Sequence, residues 1–412
     1  MSPKLIILAL AFLSVILAIR VSYYLLSFKP YPANTKIAFE TQLSNQPKMS
    51  SRGQKVSLTL PNSQRVGVNF ALLPILNYGD KVKLEGKIQY FKTPEGKEIA
   101  FMNYPRFSLI EAESQSNLIY RIRLNIISFF NSSLGQTESA LMLGIVFGIK
   151  EEMPANFYDN LQKTGLLHVI AASGMNVTMV GGFLVSLLTI FFRRQLALVL
   201  TIFGILFYAL LAGFEPSIVR AAIMGILVLF AQLLGRQNSA FLGLFGAGFI
   251  MIFINPSLVY DIGFQLSFMA TFGLIYLRPV FSLSRRLETF LKRSIIGEDV
   301  ATTITAQAIT LPILLVNFGS YSLASILING ILLWTVPILM IIGGFAALAG
   351  LILEPVGRLV AYLALPLLYY FEAIVDSFGS LGSVLTIDQL PFTISLGYYL
   401  ILLSVIVWIR RK

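Results

Sequence analysis

The chain has one histidine in 412 residues and no cysteine, so any chemistry it performs rests mainly on arginine, amides, hydroxyls and carboxylates. That histidine, His168, lies in the apolar run TGLLHVIAASGMNVTMVGG (164–182), with Ser173 and Asn176 close behind it. An ionisable side chain at membrane depth costs on the order of several kcal/mol unless it faces protein or water, so this segment is where function is to be sought. His168 could act as a base, a metal ligand or a pore-lining hydrogen-bonding group, while a plain hydrogen bond to a neighbouring helix is the rival reading. A metal site is not expected here, because most transition-metal sites draw on several His or Cys ligands. A Ser173–His168 dyad fails on geometry, since five residues along a helix rotate by about 140° and the side chains diverge. The AASGMNV turn (171–177) reads either as close packing through small residues, with Gly181 and Gly182, or as a broken helix whose freed backbone lines a cavity.

Other polar groups recur inside apolar runs. On a helix over 299–318, Thr303, Gln307, Thr310 and Asn317 fall within about 80° of one another at 100° per residue. Such a stripe facing lipid is costly, and a wet pathway is the simpler reading, with a sealed contact to a partner helix as the alternative. Asp261 and Gln265 stand one turn apart on a helix over 258–277. Arg220 lies about one turn inside a helix that opens at Pro216. It either snorkels to the outer headgroups or meets an anionic substrate through its planar fork. Asn329 and Trp334 default to interface packing.

The elements that must carry these residues follow from composition. Hydrophobic residues make up 56% and charged ones 12%, and apolar runs long enough to cross about 30 Å of hydrocarbon as helix recur along the chain. The expected fold class is a mainly α polytopic membrane protein, a helical bundle with broken or re-entrant helices, plus a small all-β domain resembling an oligonucleotide-binding (OB) barrel. The net charge of +11 is no nucleic-acid signal by itself, because the positive-inside rule produces it. The absence of cysteine excludes disulfides, thiolate metal sites and a cysteine nucleophile.

Four regions are expected: an N-terminal transmembrane anchor (1–33), an OB-like barrel (34–113), an interfacial amphipathic helix (114–136) and a polytopic domain (137–412). The anchor contains Arg20 and lacks a small-residue cleavage site, which reads as uncleaved. The barrel rests on period-two stretches at 36–43, 54–60, 64–70, 80–91, 98–104 and 106–111, bounded by turn signals, and predicts five or six strands. Basic Lys81, Lys83, Lys87 and Arg106 interleave there with Phe39, Tyr90, Phe91, Phe101, Tyr104 and Phe107. That mixture suits single-strand binding, although many of these rings must fill a small core. The piece 137–149 is too short to span and is expected to be re-entrant. Spans are expected near 166–192, 196–213, 216–234, 239–254, 258–277, 299–318, 321–353 (broken at Pro337), 356–376 and 391–409. Basic clusters at Lys4, Arg193–Arg194, Arg236, 278–293, Arg358 and 410–412 place the C-terminus in the cytoplasm and the barrel outside it. A basic amphipathic helix over 281–296 would rest on the inner surface.

Four stretches then carry a resemblance: TGLLHVIAASGMNV, EPSIVRAAIM, NPSLVYDIGFQLSFMATFGLIYL, and QAITLPILLVNFGSYSLASILIN followed by Pro337. In that order and spacing, over about 137–337, they resemble the ComEC competence-channel family, whose members pass one strand of incoming DNA across the bacterial cytoplasmic membrane. The preceding barrel is similar to the OB domain of that family. The resemblance implies that His168, Ser173, Gly174, Arg220, Gly263, Gln265, Ser267, Gln307, Pro312 and Asn329 occupy positions the family uses. It implies as partners single-stranded DNA, the lipid bilayer, an extracytoplasmic DNA receptor, a cytoplasmic helicase-type motor and a separate nuclease. No cofactor is implied. Asn176 departs from the family pattern, which usually carries a second histidine there. The metallo-β-lactamase-like domain that many members carry is expected to be lacking, the 412 residues ending three after Ile409, and one membrane histidine builds no di-metal nuclease. The resemblance implies a non-enzymatic channel; the alternatives are an intramembrane serine protease using Ser173, since AASG distantly resembles a GxSG motif, and a small-solute or lipid transporter.

Overall fold

The computed structural model describes residues 3–43, 47–50, 53–62, 64–74, 76, 79–92, 98–111, 118–150, 153–170, 173–236, 239–277, 295–318, 320–322, 324–380, 384–386 and 392–411. They divide into two compact units, Met1–Asn125 with Ile252–Ser257, and Ile126–Met251 with Leu258–Lys412.

In the first unit, α1 (Pro3–Ser27) is apolar along its length and exposes Leu8, Phe12, Val15, Ile19 and Tyr23, as a helix bathed in lipid would. Eight strands follow among the described residues: β1 (Lys36–Gln42), β2 (Lys48–Ser50), β3 (Gly53–Thr59), β4 (Arg65–Phe70), β5 (Lys81–Lys87), β6 (Gln89–Lys92), β7 (Glu98–Asn103) and β8 (Arg106–Glu111). They form a three-stranded sheet, β1-β5-β8, and a five-stranded sheet, β2-β3-β4-β7-β6, in which β4 and β7 run parallel. Alternation decides which side chains meet inside, and Leu58, Val68, Phe70, Leu84, Ile88 and Met102 fill one core shared by both sheets.

The run 80–91, expected as one strand, turns a corner at buried Ile88 and contributes β5 to one sheet and β6 to the other. Ile88 pairs instead with the chain before β1, accepting from the Asn34 amide at 2.7 Å and donating to Thr35 at 3.1 Å. Gly86 permits the bend: a Cβ there would lie 2.5 Å from Met102 Sδ and 2.9 Å from Pro105 Cβ. This corner and the extra strand β2 are why eight strands replace the five or six expected.

The helices continue with α2 (Leu118–Ser133), α3 (Gln136–Phe147), α4 (Ala155–Thr164), α5 (Leu167–Ile170), α6 (Gly174–Phe191), α7 (Arg194–Leu211), α8 (Pro216–Leu233), α9 (Ala240–Ile254), a 3₁₀ turn (Pro256–Tyr260) and α10 (Ile262–Tyr276). After these come α11 (Ile295–Phe318), β9 (Ser320–Ser322), α12 (Ser325–Leu332), α13 (Thr335–Ile352), α14 (Glu354–Tyr362), α15 (Leu365–Ser380), β10 (Val384–Thr386) and α16 (Phe392–Arg411). The amphipathic helix expected over 281–296 falls almost wholly outside the described residues, as do Ala171 and Ala172 of the AASG turn.

Among the described residues, by length and composition, five helical stretches could cross a membrane, or six if α14 and α15, bent by 49°, make one span. That is fewer than the sequence suggested, because the apolar helical stretches Ala240–Ile254, Ile262–Tyr276, Thr302–Asn317 and Thr393–Ser404 are too short among the described residues to cross by themselves. The run 166–192 breaks before Gly174, where Ser173 is fully extended. The run 321–353 divides at Leu333–Trp334, not at Pro337, which sits in the first turn of α13 where its missing amide costs nothing. Helix α3 is a core helix: every residue from Ser139 to Phe147 is buried.

Candidate functional site

Helix α8 opens with Pro216 at a position that needs no amide donor, and four residues on it presents Arg220. Arg220 is 7% exposed and so does not snorkel; it turns inward across the bundle to α10. Its Nε donates to Ser267 Oγ at 2.9 Å, and its Nη1 donates to Thr271 Oγ1 and to Met224 Sδ. The Thr271 hydroxyl is itself oriented by donating to the Ser267 carbonyl at 3.0 Å. On the third side Nη2 faces the opening of α6: a Cβ added at Gly174 would lie 3.0 Å from it. Among the described residues Arg220 forms no ion pair with a carboxylate.

A second polar cluster joins α11 to α12. Gln307 Nε2 donates to Ser325 Oγ at 2.8 Å, and that hydroxyl donates to the Ser322 carbonyl at 2.7 Å. Asn329, one turn further along α12, is buried with its side-chain oxygen lacking any partner among the described residues. Gly165, which ends α4 at φ 75°, packs against the same serines; a Cβ there would lie 2.9 Å from Ser325 Cβ. His168 reaches this neighbourhood through Gly165, its Nδ1 lying 2.9 Å from the Gly165 carbonyl. A carbonyl only accepts, so Nδ1 carries a proton and Nε2 of the exposed ring is left to accept in its neutral form.

The rest of the polar stripe behaves differently. Thr303 and Thr310 are buried; Thr310 donates to the Ala306 carbonyl and Asn317 to the Ile313 carbonyl, both at 2.8 Å within their own helix. Such back-bonding to position i−4 gives a hydroxyl or amide an acceptor within its own helix. Pro312 removes an amide from the interior of α11, and Tyr398 of α16 donates its hydroxyl to the carbonyl thus freed, that of Ala308, at 2.7 Å.

Asn176 is 1% exposed and ties α6 to α3, its Nδ2 donating to the Ile145 carbonyl at 2.7 Å. Tyr208 of α7 donates to the next carbonyl, that of Val146, at 2.8 Å. The two residues together cap the C-terminal end of α3. The Ser173 hydroxyl donates to Asn176 Oδ1 at 3.0 Å, away from His168. Asp261 caps α10 by accepting from the Phe264 amide at 2.9 Å, and Gln265 donates to the Val259 carbonyl at 2.7 Å.

In the β-sheet unit, alternation separates the basic side chains from most of the aromatic ones. Lys83 and Lys87 are exposed on the outer face of β5, while Phe39 and Phe107 turn towards the core. Lys36 pairs with Glu85 at 2.6 Å, and Lys83 lies 3.8 Å from Glu40, so carboxylates interrupt the basic row. The hydrogen bond and the charge of Lys36 hold the Glu85 carboxyl below its ordinary pKa. Tyr90 is held inside by donating to the Tyr31 carbonyl at 2.6 Å, and Phe91 is exposed. A groove of about 400 Å³ gathers Lys36, Glu85, Lys87, Tyr104 and Arg106; Tyr104 stands exposed on its rim with a left-handed φ of 45°.

A family model described as "Competence protein" matches residues 145–412, the stretch that holds both membrane clusters. The chain belongs to the Competence protein family. It is 27% identical over 231 residues to ComE operon protein 3 of Bacillus subtilis (strain 168), a match covering 55% of this chain and 29% of that protein. It is 36% identical over 133 residues to an uncharacterized protein of Aquifex aeolicus (strain VF5), covering 32% of this chain and 31% of the other. The matched stretch is therefore under a third of either relative's length. No solved structure matches. Within the Competence domain, Arg220, Ser267, Gln307 and Asn329 occupy the two clusters described above. Ser325, Thr271 and Tyr208 escaped the sequence reading, because a lone hydroxyl in an apolar run carries no signal until its partner on another helix is known.

Proposed function

We propose that this Competence-family protein is a channel that carries single-stranded DNA across the bacterial cytoplasmic membrane, and that it does so without catalysis of its own. The observation that carries the reading is a coincidence of position. Residues at the family's motifs, Arg220 with Ser267 and Gln307 near Asn329, are polar side chains kept inside apolar helices and aimed at neighbouring helices. Groups of that kind in a bilayer are expensive, and they mark the path of a polar or charged substrate. On this reading the path includes His168, Ser173, Asn176, Arg220, Asp261, Gln265, Thr303, Gln307, Thr310, Asn317 and Asn329. The β-sheet unit lies outside the membrane and meets the strand through Lys81, Lys83, Lys87, Tyr90, Phe91 and Arg106, with the C-terminus in the cytoplasm. A DNA receptor outside, a helicase-type motor inside and a separate nuclease would complete the system.

The rival protease reading has little support: the Ser173 hydroxyl is bonded to Asn176 and no base stands on it among the described residues. The test is natural transformation by a deletion strain of the source organism, complemented by the wild-type gene. Loss of uptake that only the intact gene restores supports the channel, while unaltered uptake in the deletion strain refutes it. Labelling of Ser173 by a fluorophosphonate probe would instead favour the protease.

A further inference from the structure

Helix α6 begins at Gly174 without the usual side-chain cap. Its N-cap residue, Ser173, makes no cap hydrogen bond and spends its hydroxyl on Asn176 Oδ1 at 3.0 Å. The first amides of a helix together carry about half a positive charge; in α6 the Asn176 amide donates to the Ser173 carbonyl at 3.1 Å, and those of Gly174 and Met175 have no acceptor among the described residues. Beside this end stands Arg220, more than nine-tenths buried, with Nη2 3.0 Å from the point where a Gly174 Cβ would lie. A guanidinium has five N–H donors. Three are used, by Ser267, Thr271 and Met224, and the two on Nη2 have no acceptor among the described residues. Two positive poles thus face one another in a low-dielectric bundle. Burying an unpaired cation costs several kcal/mol, and a second positive pole adds to that cost unless an anion lies between them.

We infer that Arg220 Nη2 and the first turn of α6 form a seat for one phosphodiester group. A phosphodiester is a monoanion with two free oxygens, one able to accept from Nη2 and the other from the α6 amides. A side chain at position 174 would crowd Nη2, since its Cβ would lie 3.0 Å away, and glycine leaves that approach open. Such an anion is present in a DNA strand and in a phospholipid headgroup. That the physiological occupant is the strand rests on the channel reading above; the seat itself does not.

The seat is tested on the full chain in dodecyl maltoside micelles, which contain no phosphate, with dimethyl phosphate as probe and saturation-transfer NMR of its methyl protons as readout. Wild type should transfer saturation to the probe. Arg220→Gln should lose at least about tenfold in affinity, the weakening that follows loss of roughly 1.5 kcal/mol of charged hydrogen bonding. Gly174→Ala keeps the charge but crowds Nη2, and should lose the signal too while its melting temperature stays at the wild-type value. If Arg220→Gln does not fold, Gly174→Ala decides alone. No transfer to wild type, or equal transfer to wild type and Gly174→Ala, overturns the seat. Displacement of the probe by a single-stranded oligonucleotide assigns it to the strand, and displacement by phosphatidylglycerol alone assigns it to lipid. Failure of the wild-type gene to restore transformation would sink the channel reading and leave the probe result standing.

Discussion

Pro312 and Tyr398 offer a double-mutant test of how α11 tolerates a proline in its interior. The proline withdraws the amide that the Ala308 carbonyl would have accepted from, and the Tyr398 hydroxyl supplies a donor from α16 at 2.7 Å. Tyr398→Phe removes one oxygen and keeps the ring. A buried carbonyl left without a donor costs about 1–3 kcal/mol, whereas interhelical hydrogen bonds in membrane proteins average about 0.6 and reach about 1.7. Tyr398 is only half-buried, so a loss of about 1 kcal/mol is expected. In a Pro312→Ala background the amide returns and Ala308 recovers an intrahelical donor, so the same Tyr398→Phe change should cost less than about 0.3 kcal/mol. Unfolding in mixed micelles with increasing dodecyl sulfate reads all four variants. Equal cost in both backgrounds would refute the idea that Tyr398 serves the carbonyl freed by the proline.

Asn176→Ala should destabilise the protein by about 1–3 kcal/mol, because it strands the buried Ile145 carbonyl; unchanged thermal unfolding would show that this bond does not hold α6 to α3. If the groove on the β-sheet unit holds a DNA backbone, replacing Lys36, Lys87 and Arg106 by Gln should lower the slope of log affinity against log salt by about 2 for a single strand. An oligonucleotide titration in which the slope does not change would exclude the groove. The pKa of Glu85 lies below its ordinary 4.5, so its charge persists until the pH falls through that lowered value. Its stabilising pair with Lys36 is lost only there, and oligonucleotide affinity should rise over the same interval as the groove loses its negative charge. Affinity that is flat or falling with acidification, while Glu85→Gln binds no more tightly than wild type, would contradict this.

Apolar run length and period-two alternation made the helical class, the β region and most strand boundaries readable, because both patterns depend only on which side of a local element is buried. The strand corner at Ile88 was not readable: alternation continues through it, and the bend depends on Gly86, where a Cβ would strike Met102 and Pro105. Polar residues inside apolar runs could be recognised as costly from sequence, and Arg220, Gln307 and Asn329 were found in that way. Their direction could not. Arg220 has the length to snorkel outwards, and only the hydroxyls of Ser267 and Thr271, brought beside it by the packing of α10 on α8, turn it inwards. The same holds for the stripe on α11, which is continuous in projection. In three dimensions Gln307 reaches a serine on α12, while Thr310 and Asn317 bond back to their own helix. A sequence specifies which groups must find a partner because that need is local chemistry. Which partner each one finds depends on contacts between residues far apart along the chain, and those exist only once the helices have packed.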